Sequence, residues 1–209
     1  PTAVPHGTAD MTSFLSKISD SFDGLFGIFF GPQGIAFVNQ SFDLGLSKKY
    51  KIAGDGAIVV SVSMPAMGAK ADGFVGIDRY LPVLDGALNT PHHKRFLEDS
   101  TARLKAIDPS GPLPDRYLHS NNEAVNALRV GMHKSGFQGR ADSMKLIEAL
   151  EGLEMKEGDD FPQGDKLLRK EDHQAFLREF LFEVRGGKYK ILEVVPKEKT
   201  IVPVACKFA

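Results

Sequence analysis

The chain has 209 residues, enough for one sizeable domain or two small ones. Hydrophobic residues make up 42% and charged residues 25%, the balance of an ordinary soluble globular protein. The formal net charge of −1 gives no reason to expect nucleic acid or an anionic membrane as partner. Cys206 is the single cysteine, which excludes an internal disulfide and any cysteine-based metal cluster, and with no base beside it in "VPVACKFA" it reads as a buried structural thiol. No apolar run is long enough to span a bilayer, and no signal-peptide pattern stands at Pro1. The chain opens mid-pattern on "PTAVPHGT", which suggests the removal of an upstream segment.

"PTAVPHGTADMTSFLSKISDSFDGLFGIFF" reads as strand, turn, helix, strand. Thr8 or Asp10 caps the helix before Met11, and Phe14, Leu15 and Ile18 form its apolar stripe. "GLFGIFF" is a continuous apolar run of the kind found in parallel strands buried on both faces. "GPQGIAFVNQSFDLGL" reads as a helix with Pro32 in its first turn and Gly45 closing it. "YKIAG" is the next strand, "MPAMG" a short helix and "GFVGIDRY" another strand, and this alternation argues for an α/β unit with a largely parallel sheet.

From Asn89 the character changes. "TPHHKRFLEDSTARLKAI", "YLHSNNEAVNALRVGMHKSG" and "ADSMKLIEALEGL" are three successive helical segments, broken at "DPSGPLPD" and "SGFQGR". With no strands between them, they are expected to cover a sheet not encoded beside them. The tail returns to β structure, where "AFLREFLFEV" and "KYKILEVV" flank a hairpin turn at Arg185-Gly186-Gly187.

The histidines give no metal set. His92 and His93 are adjacent and diverge on a helix, and no H-x-x-x-H or H-E-x-x-H spacing occurs. His173, in "KEDHQA", reads as a turn or surface residue, and no nucleophile elbow, P-loop or dinucleotide fingerprint is present. Asp55, between Gly54 and Gly56, is the most informative residue. It follows the strand "YKIA", and ligands of open α/β sheets bind outside the carboxyl ends of the strands. The end of "GIFF" places Phe29, Phe30 and Gly31 at the same edge. Aromatic faces beside one acid suit a ligand with an apolar and a cationic part, while an Asp in a glycine-flanked turn has a purely local use as well.

The ordered set "VPHGTADMTSFLSKI", "DGLFGIFFGPQGIAFVNQSFDLGL", "KIAGDGA", "ADGFVGIDRY", "YLHSNNEAVNALRVGMHKSG", "LIEALEGLEM" and "RKEDHQAFLREFLFEVRGGKYKILEVV" resembles the type I periplasmic solute-binding proteins of ABC transporters, of the branched-chain amino acid (Leu/Ile/Val-binding) type. The resemblance implies an α/β fold of two lobes, with a ligand trapped between them by hinge closure. It maps residues 1–79 and 161–209 onto the C-terminal lobe, with its parallel sheet and β-hairpin, and residues 80–160 onto late helices of the N-terminal lobe. The chain then corresponds to the C-terminal portion of a longer protein, with its second lobe incomplete. Asp55 matches the acid that accepts hydrogen bonds from the ligand's α-ammonium in amino-acid-binding members, and Gly56 is its neighbour in that motif. Phe30 falls near a position where some members place a tyrosine, and His119 aligns with an aromatic position lining the cleft, with Ser120 as the alternative.

The expected function is that of a solute-binding component of an ABC importer, periplasmic or lipid-anchored outside the cell, and not an enzyme. It needs no cofactor. Its expected partners are an amino acid or similar small solute and an ABC permease, with no nucleic acid, and self-association if the chain is truncated. The alternative is a ligand-sensing receptor or regulator on the same fold. A small α/β enzyme ranks third, for want of a nucleophile–base pair.

Overall fold

The computed structural model describes residues 2–205, so Cys206 lies outside the described residues. The elements in chain order are α1 Thr12–Leu15, β1 Gly24–Gly27, α2 Gly31–Asp43, α3 Leu46–Lys49, β2 Lys51–Asp55, α4 Met64–Met67 and β3 Val75–Asp78. After them come α5 Pro91–Ile107, α6 Arg116–Ser135, α7 Ser143–Leu150, β4 Glu154–Met155, β5 Lys166–Leu168, β6 Ala175–Phe176, β7 Glu179–Arg185 and β8 Lys188–Val195. A five-stranded sheet runs in the order β1-β2-β3-β7-β8, and a small three-stranded sheet in the order β4-β5-β6. The first three strands of the large sheet are mutually parallel, while β3–β7 and β7–β8 are antiparallel. The sheet is therefore mixed, with its parallel half encoded by the first 78 residues.

The helix boundaries follow local chemistry. Pro32 sits in the first turn of α2, where no intrahelical N–H is required, and Gly45 follows the helix at φ 72. Asp115 caps α6 by accepting from the backbone N–H of Tyr117 and Leu118, and Gly136 closes it in the left-handed conformation. Asp10 accepts from the Thr12 N–H at the start of α1. Gly186 and Gly187, at φ 57 and 70, make the tight hairpin between β7 and β8.

The main core joins Phe37 and Val38 of α2, Ile52 of β2, Ile58 and Val59, Met64 and Met67 of α4, and Phe180, Phe182 and Val184 of β7. Along β7 burial alternates strictly, as expected for a strand with one face on a core. A second cluster of Leu153, Met155 and Phe161 packs against Ala127 and Val130 of α6, Leu150 of α7 and Leu168 of β5. The helices α6 and α7 thus rest on the small sheet, while α5 and α6 expose Ile107, Val125, Leu128 and Met132. That exposure is what helices lacking a covering sheet would show.

Three readings of the sequence change. The run "GLFGIFF" forms only a four-residue strand at the sheet edge, and Phe26 and Ile28 are 65% and 78% exposed, because no strand lies on the outer side of β1 among the described residues. "AFLREFLFEV" is two strands: Phe176 pairs into the small sheet, and the chain breaks before entering β7. The opening residues, expected as a strand, are irregular up to a turn at His6–Gly7.

Candidate functional site

Strands β1, β2 and β3 end side by side, with Gly27 opposite Gly54 and Asp55 opposite Ile77. Their carboxyl ends lead into Phe30, Asp55 and Asp78, so the two acids stand on adjacent strands at one edge. Glycine is required where these strands turn. A Cβ at Gly54 would stand 2.5 Å from the Gly27 carbonyl oxygen, and one at Gly56 would stand 2.4 Å from Oδ2 of Asp78. Gly56 therefore acts by leaving room for a buried carboxyl.

Asp55 caps the short turn Gly56–Val59, its Oδ1 accepting from the Ala57 N–H at 2.7 Å. The same oxygen accepts from Nη1 of Arg116, the first residue of α6, at 2.6 Å. The turn chemistry is thus realised, and the cation that Asp55 meets is one of the protein's own. The Asp55 side chain is still 40% exposed, and its Oδ2 has no hydrogen-bond partner among the described residues. Asp78 is 4% exposed and lies 3.3 Å from Nε of Arg116, while its Oδ1 accepts from the Arg79 N–H at 2.7 Å. Burial pushes the Asp78 carboxyl up to about 6, and Arg116 and the backbone N–H groups oppose that rise only in part. Arg116 itself keeps 11% of its side-chain exposure.

Two further bonds tie this edge to the helical segment. Arg79 Nε donates to Ser120 Oγ at 2.9 Å, and Ser61 Oγ donates to the Leu113 carbonyl at 2.7 Å. Among the expected site residues, Phe30 is 64% exposed beside α2, whereas Phe29 turns inward and packs on Phe37 at 5.2 Å between ring centroids. His119, expected on the cleft, is fully buried, because its ring stacks on Tyr80 at 4.4 Å and meets the edge of Phe96.

Behind the site lies a buried polar group. Nε2 of His119 is 3.1 Å from Oε1 of Glu123, and Lys166 Nζ is 2.7 Å from the same oxygen. His93 Nδ1 meets Gln163 Nε2 at 3.0 Å, and Gln163 also donates to the Leu81 carbonyl. Burial pushes His93 down to about 4 and His119 below its ordinary value, so both imidazoles are neutral at neutral pH. These groups fasten α5 and α6 to the segments around Leu81 and Lys166.

Sequence reasoning missed Asp78 and Arg116. Asp78 was legible, since it ends "GFVGID" on the next parallel strand as Asp55 ends "YKIAGD". Arg116 carries no local signal, because its partner is 61 residues away. Among the described residues there is no group of three or more His, Cys, Asp or Glu able to hold a metal, and no helix long and apolar enough to cross a membrane.

The charged, partly open edge of this lobe lies at the carboxyl ends of its parallel strands, the place where open α/β sheets bind ligands. The family profile described as periplasmic binding protein matches residues 1–188, and the chain belongs to that family. Solved structures agree on the fold. An ABC transporter substrate-binding protein from Sphaerobacter thermophilus matches with TM-score 0.75 and 22% identity over 93% of this chain and 51% of its own. A solute binding protein from R. palustris, in complex with 4-hydroxybenzoate, matches with TM-score 0.76 and 20% identity over 95% of this chain and 52% of its own. A leucine binding protein from Thermotoga maritima matches with TM-score 0.72 and 18% identity over 92% and 50%. The chain thus spans about half the length of these relatives, as a lobe plus part of a second would. No curated protein matches the chain significantly.

Proposed function

We propose that this chain is part of the solute-binding component of an ABC importer, working outside the cytoplasmic membrane and not as an enzyme. Residues 1–79 and 161–209 belong to one lobe and residues 80–160 to the other, except that the stretch carrying β5 and β6 packs with α6 and α7 of the second, and the solute lies between them. The cleft closes on an amino acid or related small solute with an apolar or aromatic part, and the closed form docks on the permease. Asp55 anchors the solute's ammonium through its free Oδ2, Gly56 leaves the space behind it, and the exposed Phe30 offers an apolar face. His119 serves this cleft from behind, by fixing the first turns of α6.

The observation that carries this reading is the half-exposed Asp55 carboxylate, with one oxygen unused, at the carboxyl end of a parallel strand in a periplasmic binding protein. Relatives in complex with 4-hydroxybenzoate and named for leucine support a solute of that size. A thermal-shift screen of the longer protein against amino acids, amides and aromatic acids identifies the solute. Calorimetric titration of Asp55→Ala then tests the anchor. Loss of about 3–5 kcal/mol of affinity is expected, because a desolvated cation is left unpaired; unchanged affinity sinks the role.

A further inference from the structure

Arg116 is a residue that no resemblance assigns, and the role given to it below rests on the solute-binding reading above. Arg116 reaches from the start of α6 to the sheet edge and sits between two carboxylates. Its Nη1 is used by Asp55 Oδ1, and its Nε faces Asp78, but Nη2 makes no hydrogen bond among the described residues. Asp55 is in the matching condition, with Oδ1 doubly used and Oδ2 free. The edge therefore presents an open carboxylate oxygen next to an open guanidinium nitrogen, held together by their own ion pair.

We propose that Arg116 sets the charge selectivity of the cleft, making Asp55 an anchor for solutes that carry an ammonium and a carboxylate close together. A zwitterion laid along the pair gives its ammonium to Asp55 Oδ2 and its carboxylate to Arg116 Nη2. A plain amine satisfies Asp55 but leaves its own cation facing the guanidinium. A plain carboxylate satisfies Arg116 but faces Asp55. At a site where one side chain is 11% exposed, such like-charge contacts are only partly screened. Arg116 thus rejects solutes of single charge while accepting the doubly charged one, a use of repulsion as well as attraction.

The test uses two matched sets of probes on the longer protein: L-leucine, isopentylamine and 4-methylpentanoate; L-phenylalanine, 2-phenylethylamine and 3-phenylpropanoate. Because Arg116→Gln alone strands the buried Asp78 carboxylate, the double variant Arg116→Gln/Asp78→Asn is measured beside it, and Arg116→Lys serves as the conservative variant. The wild type is expected to favour an amino acid over both of its singly charged analogues. In the double variant the preference over the amine should shrink on the order of tenfold or more, with Arg116→Lys restoring part of it. A purely structural role would lower all three affinities together and leave their ratios in place, and that result overturns the proposal. Binding of a single-charge probe as tightly as its amino acid by the wild type overturns it as well, and so does binding of none of the six. In those cases Asp55→Ala, titrated with whichever solute the thermal screen finds, still decides the anchor role independently.

Discussion

Asp78→Asn should make the protein more stable at pH 7.5 and leave it unchanged near pH 4. Asp78 is 4% exposed, and its carboxyl titrates at about 6 in the fold against 3.8 in an ordinary setting. A folded-state value above the unfolded one means that the folded chain holds the proton more tightly between those two pH values. Stability from this group is therefore highest when it is protonated, falls as pH rises from 3.8 to about 6, and stays low above that. At about 1.4 kcal/mol per pH unit, the rise from 3.8 to about 6 amounts to about 3 kcal/mol at pH 7.5. Asn keeps the carbonyl oxygen that accepts from the Arg79 N–H while removing the buried charge. The assay is urea unfolding of both proteins from pH 4 to 8, read as the difference between the two stability curves. Taking the difference cancels the opposite slope of His93, which resists protonation down to about 4 and so loses stability as pH falls below its ordinary 6.5. Parallel curves across the range, or a less stable variant at pH 7.5, would refute the reasoning by showing that Arg116 fully offsets the burial of Asp78.

Glu123→Gln should cost about 3–5 kcal/mol, because it strips the buried Lys166 ammonium of its carboxylate; a loss below about 1 kcal/mol in urea unfolding would show Lys166 relieved by other means. Gly76→Ala should destabilise by about 1–3 kcal/mol, since its Cβ would stand 2.4 Å from the Phe182 ring in the core. Its partner change, Phe182→Leu, should recover part of that loss in a double-mutant cycle, and strict additivity would count against the contact.

How much of this was legible in the sequence depends on the range over which each interaction acts. Pro32, Gly45 and the Gly186–Gly187 pair determined turns and helix ends by themselves, and the breaks "DPSGPLPD" and "SGFQGR" hold the α6 caps Asp115 and Gly136, because caps and left-handed residues act within a few positions. The alternation of short strands with helices gave the α/β half and put Asp55 at a strand end, as the register of β1, β2 and β3 confirms. Apolar runs were less informative. "GLFGIFF" and "AFLREFLFEV" look alike as sequences, yet the first forms an edge strand with exposed rings and the second divides between two sheets. Periodicity reports that a face is apolar; only the presence of a neighbouring strand decides whether it is covered.

The sequence by itself determined that an acid stands between glycines at the mouth of a parallel sheet. Only the tertiary structure decided what that acid faces. Arg116 is 61 residues further on, at the start of a helix whose own pattern says nothing about strand β2. Burial of Asp78 between Gly56 and Arg116 is likewise a property of three segments meeting, which desolvates one carboxyl and leaves the other open to solvent. Local rules fix where a charged group can stand, and long-range packing fixes the dielectric and the counter-charge that set its chemistry.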